Sequence, residues 1–489
     1  MLLYLSLLLP LIGGGAMALI KFRSSKERLI YTEAVVGVTS ILVWIMLLTR
    51  TDETLTLYHM TDVFTLSFKV DGLSCVFAGL VATLWPLATL YGFEYMKHEH
   101  NENSFFAWYT MTYGVTLGIA TAANLFTMYV FYECLTMITM PLVTHKKDTK
   151  SIHAGRKYLY YSIGGAALGF IALAVTSYMG ANPNFTLGGL LDPEKIAGME
   201  ELLRVVFVLA FIGFGTKAAV FPMFAWLPAA GVAPTPVTAL LHAVAVVNAG
   251  AYAVLRLIYY VFGTTLLSGT WAQTVVLLLS CFTILFGSGM AVKEQHFKRR
   301  LAYSTISNLS YMLMGACLMT PAGMVGSLSH LIFHGLIKIT LFYCAGAVIV
   351  RTEKEYVQDL RGYSKIMPFT CGVFMLGSIA LVGIPPLCGF VSKWNLLSAA
   401  SMQSTLGVIA IATLIISAIL TAIYLFTVAS PMYFRPLNHD LAEYEGKNRD
   451  PGWMMKLPLT VLCVMIVVFG MYSEPIVTFL RGIASGVIF

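Results

Sequence analysis

The chain is 489 residues long with a formal net charge of +7, and 58% of it is hydrophobic while only 11% is charged. Soluble domains carry about 25% charged residues, so these proportions exclude an ordinary soluble protein. Apolar stretches long enough to cross a hydrocarbon core of about 30 Å recur along the whole length, leaving loops too short for a catalytic domain, and the basic clusters fit lipid headgroups better than nucleic acid.

The opening run MLLYLSLLLPLIGGGAMALI has no charged residue ahead of it and is followed by Lys21, Arg23, Lys26 and Arg28. It is expected to be a retained first helix and not a cleaved leader. Apolar runs between charged breaks then predict helices near 30–49, 72–94, 105–121, 124–142, 157–178, 204–230, 235–261, 271–291, 301–319, 324–350, 368–400, 405–433 and 454–473. The expected fold is an all-α membrane protein of about fourteen transmembrane helices. Its eight cysteines stand singly, without a C-x-x-C pair. No bound zinc, iron–sulfur cluster or other cofactor is expected, and any redox chemistry belongs to a partner.

An even helix number puts both termini on one side and divides the loops into two sets. One set holds 22 Lys and Arg, and the other holds six: Arg50, Lys69, Lys195, Arg204, Arg256 and Arg481. The richer set is expected to be cytoplasmic, with both termini external, in a cell (inner or plasma) membrane.

Two segments are interrupted in the same way. Residues 204–230 contain Pro222 and Pro228 after Lys217, and residues 368–400 contain Pro385 and Pro386 before Lys393. Proline removes a backbone donor and breaks the helical ladder, so each segment is predicted to be a pair of half-helices around irregular backbone. The two lie in units of five helices, 105–261 and 271–433. An odd number of spans per unit forces opposite orientation, which makes the units an inverted repeat with one broken helix each. Residues 1–104 supply three preceding helices, and 434–489 supply a C-terminal one.

Four charges fall inside these spans. Glu133 lies about 13 Å of helix from either end of its span, Lys217 and Lys338 are similarly deep, and Lys393 follows the second break. A charge at the bilayer centre costs at least about 2.5–3.5 kcal/mol, and one glutamate does not neutralise three lysines. Either water reaches them or some give up their protons, and both outcomes suit a proton carrier. His330, His334 and Lys338 in HLIFHGLIK recur at i, i+4 and i+8, on one helix face. No Glu stands between the histidines and no carboxylate is near in sequence, so titration is favoured over metal binding. His242 joins this set through its position after the first broken segment. The GFGTK around Lys217 is not a phosphate loop, because it lies mid-membrane and lacks the Walker spacing.

The segments DGLSCVF (71–77), MYVFYE (128–133), TKAAVFPMFAWLPAAGVAPTPVTALLH (216–242), KRRLAYSTISNLSYM (298–312), HLIFHGLIKITLF (330–342) and VGIPPLCGFVSKW (382–394) resemble the antiporter-like family. Its members are proton-channel subunits of respiratory complex I, of membrane-bound [NiFe]-hydrogenases and of Mrp-type cation/proton antiporters. The resemblance implies that Glu133 is the key carboxylate of the fifth helix and Lys217 its partner in the seventh. It implies that Lys338 or the neighbouring histidines form the central relay, and that Lys393 is the exit-side lysine. Asn248 stands where the family commonly has an eighth-helix lysine, so that step would use His242, waters or both. The implied partners are other membrane subunits of an ion-pumping complex, with protons, or protons and sodium, as cargo. No long horizontal C-terminal helix is expected, unlike the longest family member. Two other classes fit a polytopic chain: a stand-alone secondary transporter of a small solute, with a substrate-sized pocket between its half-helices, and a membrane scaffold, indifferent to neutralising Glu133 or Lys217.

Overall fold

The computed structural model describes residues 2–49, 53–61, 63–438, 441 and 444–488; Arg50, one of the six basic residues of the sparser loop set, lies outside them. The chain begins with α1 (Leu2–Met17) and α2 (Ser25–Thr49), followed by a two-stranded antiparallel hairpin, β1 (Leu55–His59) and β2 (Thr65–Phe68), with Leu55 opposite Phe68 and His59 opposite Thr65. Then come α3 (Gly72–Met96), α4 (Glu102–Ala120), α5 (Leu125–Val143), α6 (Thr149–Met179) and α7 (Glu200–Gly215). After an irregular stretch follow α8 (Thr235–Ala243), α9 (Val246–Arg256), α10 (Trp271–Lys293), α11 (Phe297–Cys317) and α12 (Pro321–Thr352). The chain closes with α13 (Pro368–Val382), α14 (Cys388–Ser401), α15 (Thr405–Phe434), α16 (Trp453–Met471) and α17 (Glu474–Ala484).

Among the described residues, nine helices are long and apolar enough to cross a membrane by length and composition. The chain is an integral multi-pass membrane protein. Several helices start on caps that the sequence supplies. The side chains of Asp71, Asn124, Asp148 and Thr320 each accept the backbone N–H three residues on, satisfying one of the orphan donors of the first turn.

The spans differ in how far they are enclosed. The most apolar window is 100% buried in the α8–α9 span, 89% in α12 and 72% in α3, against 33% in α2 and α15 and 28% in α16. The centre of the bundle is therefore α3, α8–α9 and α12, while α2, α15 and α16 present Ile41, Leu48, Val408 and Val464 outward. A charge on these central helices is shielded from the outside of the bundle.

Four features depart from the helix assignments read from the sequence. The hairpin of β1 and β2 was not expected; it lies against the start of α5, where the Ser67 amide donates to Thr127 Oγ1 at 2.9 Å. The broken segment after α7 is not a pair of half-helices, because turns occupy 216–225 and only short helical pieces follow at Trp226–Ala229 and Ala230–Val232. The eighth span is itself broken, at Val244–Ala245. Last, α17 is an additional short helix with Arg481 and Glu474 on its exposed side.

Candidate functional site: buried lysines and histidines at the helix breaks

The first break places Lys217. α7 stops at Gly215, and Ala219 adopts a left-handed φ of 57°. The polar groups freed there find partners: Trp226 Nε1 donates to the Thr216 carbonyl at 2.8 Å, and the Phe221 amide donates to Thr283 Oγ1 at 3.1 Å. Such satisfaction is what allows irregular backbone to survive at membrane depth. The turn packs directly on α9 at Gly250, where a Cβ would come within 2.5 Å of the Ala218 nitrogen. Lys217 is fully buried. Its Nζ donates to the Tyr132 carbonyl and lies 3.5 Å from the centre of the Tyr132 ring. The Tyr132 hydroxyl in turn donates to the Phe214 carbonyl at 2.8 Å, closing the end of α7.

Glu133 is the next residue on α5, about 100° further round that helix. The two charges are within electrostatic reach of each other, but the lysine's direct acceptor is the Tyr132 carbonyl. Glu133 lies at mid-helix and is half-buried within this chain, beside the exposed Cys134, with Met137 53% exposed one turn on. Its Oε1 has no hydrogen-bond partner among the described residues. Axial depth and azimuth are independent: the sequence places Glu133 at mid-helix, whereas packing decides how much of it this chain covers.

The histidines line the centre. His242 sits near the end of α8, with its ring 4.8 Å from Phe342 and neither ring nitrogen partnered among the described residues. The break after it is held by Asn248, whose Nδ2 donates to the Ala243 carbonyl at 2.8 Å. Asn248 thus caps the broken helix from inside. On α12, His330 and His334 stand with ring centroids 5.6 Å apart and planes 20° apart, as their i, i+4 spacing required. His330 Nδ1 meets Ser392 Oγ at 3.0 Å, while His330 Nε2 and both nitrogens of His334 lack partners among the described residues. Buried polar groups without protein partners are the groups that interior water serves.

Lys338, a further turn along α12, is fully buried and donates to Ser304 Oγ and to the Leu301 carbonyl, the latter at 3.2 Å. The second break, between α13 and α14, is as predicted. Gly383 takes φ 94°, and Lys393 folds back from α14 to donate to the carbonyls of Leu381 and Val382 at 2.7 and 2.9 Å. A cation at the carbonyl end of a helix is stabilised by the negative end of its dipole. Both broken-helix lysines therefore rest on backbone carbonyls, and neither is in an ion pair within 4 Å among the described residues.

Sequence reasoning missed several buried charges. Arg256, assigned to an external loop, is 1% exposed and paired with Asp71: its Nη2 donates to Asp71 Oδ1 at 2.7 Å and to the Tyr252 hydroxyl at 2.7 Å. The lone Arg in GAYAVLRLIYYVF, apolar on both sides, was the available signal. Lys298 and Arg300, assigned to a cytoplasmic loop, are also buried. Lys298 Nζ donates to the Ala233 carbonyl at 2.9 Å, and Arg300 Nη1 donates to the Tyr424 carbonyl at 3.1 Å. Glu94 joins α3 to α16, accepting from Arg351 Nη2 at 3.0 Å and from the Gly452 and Met455 amides at the start of α16. Glu33 on α2 is a further half-buried carboxylate, near Tyr109, with Oε2 unpartnered among the described residues.

Residues 122–421 match the family model described as NADH:quinone oxidoreductase/Mrp antiporter, TM, and residues 60–106 match the one described as NADH-Ubiquinone oxidoreductase (complex I), chain 5 N-terminus. The chain is 30% identical over 422 residues to NADH-quinone oxidoreductase subunit N of Desulforudis audaxviator, covering 84% of this chain and 82% of that one. It is 31% identical over 435 residues to a Na(+)/H(+) antiporter subunit of Alkalihalophilus pseudofirmus, covering 83% of this chain but only 52% of that longer relative. Its fold matches a chain in the structure of the Mrp complex from Dietzia sp. with a TM-score of 0.85 at 20% identity, covering 99% of this chain and 97% of that one. A family model spanning the broken segments, the histidine helix and both lysines, together with a relative matched over most of both chains, establishes that this chain belongs to the NADH:quinone oxidoreductase/Mrp antiporter transmembrane family.

Proposed function

We propose that this chain is a proton-translocating subunit of a multisubunit redox-driven pump or cation/proton antiporter. The observation that carries this reading is the set of buried titratable side chains at the two breaks and on the two most enclosed spans: Lys217 at the first break, His242 on α8, His330, His334 and Lys338 on α12, and Lys393 at the second break. Buried groups of this kind are costly and persist where they form proton routes. The antiporter and NADH-quinone oxidoreductase names of the relatives point the same way, with protons, or protons and sodium, as cargo.

The proposed architecture is fourteen membrane segments in a cell membrane with both termini external. Residues 105–261 and 271–433 form two inverted five-helix units, between a three-helix N-terminal unit (1–104) and a C-terminal one (434–489). The pairing of Lys217 with Lys393, each at a break and each on backbone carbonyls, supports that symmetry.

Partners enter through Glu133. Glu133 is only half-buried, and the exposed Cys134 and Met137 lie beside it on α5, so on this reading a neighbouring membrane subunit covers this side of α5 and shields the carboxylate from lipid. When the neighbour leaves Glu133 ionised and close, the Lys217 proton is held; when that charge is drawn away, the proton is released toward the central histidines. No chemistry in this chain is required, and the driving reaction belongs to the partners.

The test is proton or sodium flux in sealed vesicles carrying the assembled complex. Glu133→Gln and Lys217→Ala are expected to abolish flux while assembly and any partner electron transfer persist in part. Lys217→Arg is expected to fail as well, because a guanidinium keeps its proton. Near-native flux in Lys217→Arg would refute a titrating lysine at this break.

A further inference from the structure

The second break has two sides, and they differ. Lys393 and Asn395 are two residues apart on α14, so they project about 200° apart around the helix. Lys393 turns to the end of α13, where Leu381 and Val382 hold its Nζ, 5.5 Å from the Tyr311 ring and within electrostatic reach of His330 and Lys338. Asn395 lies on the other side with Ser392, three residues before it, and there the two meet α12: Ser392 Oγ bonds His330 Nδ1 at 3.0 Å, and Asn395 Nδ2 donates to Ser329 Oγ at 3.4 Å. Asn395 also forms part of the wall of a cavity of about 280 Å³ between the start of α12, the end of α14 and α17. Ser398, Arg481 and Ser485 are its other polar lining residues, the remaining wall is apolar and includes Val325 and Met402, and Met402 and Arg481 stand at its exposed rim, 73% and 60% exposed. Arg481 there pairs with Glu474 at 3.0 Å, so the rim carries no unbalanced cation to oppose a departing proton.

Every lining residue lies at the end of the bundle that the proposed topology places outside. We propose that the relay discharges to the external side from His330, through Ser392 and water oriented by Ser329 and Asn395, into this vestibule. Lys393 on this scheme is a side branch that sets the charge near the histidines, not the last carrier. This inference rests on the proton-translocating reading above and specifies its outlet. The step balances without any co-reactant: as protonated His330 gives up its proton, the Ser392 oxygen accepts it and releases its own hydroxyl proton, which otherwise points to the Gly389 carbonyl at 3.2 Å, to water oriented by Ser329 and Asn395 that leads into the vestibule, leaving both side chains neutral. Asn395 and Ser329 are positioning residues, because a neutral amide carries no proton at ordinary cost but does fix where water sits.

The experiment uses the assembled complex in sealed vesicles with the external face outward. Ser398→Cys is labelled from outside with a charged, membrane-impermeant methanethiosulfonate, against the unsubstituted chain as background for the eight native cysteines, and flux is measured before and after labelling. External labelling of Ser398→Cys that lowers flux at least about tenfold is expected. Asn395→Leu should lower flux by a similar factor, with Asn395→Ser retaining most of it, a rescue that a merely space-filling role would not show. No external labelling, or labelling with unchanged flux together with native-like flux in Asn395→Leu, overturns the outlet. The underlying reading fails separately, through undiminished flux in Glu133→Gln.

Discussion

The ion pair between α3 and α9 offers the most quantitative test of how this bundle tolerates charge. Arg256 is 1% exposed and donates to both Asp71 oxygens, and the same carboxylate caps α3 through the Ser74 amide at 2.9 Å. Asp71→Asn keeps a competent cap but leaves the guanidinium uncompensated in a buried site, which costs about 3–5 kcal/mol. With an unfolding entropy of about 2.1 cal/mol/K per residue, each kcal/mol moves the melting temperature of a 489-residue chain by about 1 °C, so the apparent Tm should fall by roughly 3–5 °C. Arg256→Met removes the charge from the other side, and the double variant Asp71→Asn/Arg256→Met removes both while retaining cap and volume. It should be more stable than Asp71→Asn alone, with a coupling of about 2 kcal/mol or more. The assay is thermal unfolding of the purified protein in detergent, followed by tryptophan fluorescence. Added salt should hardly change the loss, since a buried pair is poorly screened. Losses in the single variants that simply add in the double, or an Asp71→Asn protein melting within a degree or two of native, would refute the reasoning.

Three further outcomes follow from the site. Gly250→Ala places a Cβ within 2.5 Å of the Ala218 nitrogen, and because the obstacle is backbone it should displace the Lys217 turn, lowering both the yield of assembled complex and its flux; native flux would show that the turn yields freely. Asn248→Leu strips the Ala243 carbonyl of its partner and should cost about 1–3 kcal/mol in the same unfolding assay, whereas an unchanged melting curve would mean that the break needs no cap. Lys338→Met should lower proton flux by about 10²–10⁴-fold, the scale of a positioned proton-transfer group, with assembly intact by size-exclusion chromatography; flux within a factor of about three of native would remove Lys338 from the relay.

Composition and the lengths of the apolar runs were enough to establish a multi-pass helical membrane protein, because the cost of exposing backbone and charge to lipid leaves few other solutions. Local signals were equally reliable where the controlling interaction is local: the break around Pro385 and Pro386 and the shared face of His330, His334 and Lys338 both follow from the sequence of one segment. Tertiary structure decided the rest. The bond from Lys217 to the Tyr132 carbonyl spans 85 residues, and that from Arg256 to Asp71 spans 185. The eighth span breaks at Val244–Ala245, and Glu133 is only half-buried although it lies at mid-helix. Position along a helix can be counted from the sequence, but which way a side chain faces and which distant carbonyl receives it depend on how the helices rotate and pack against one another.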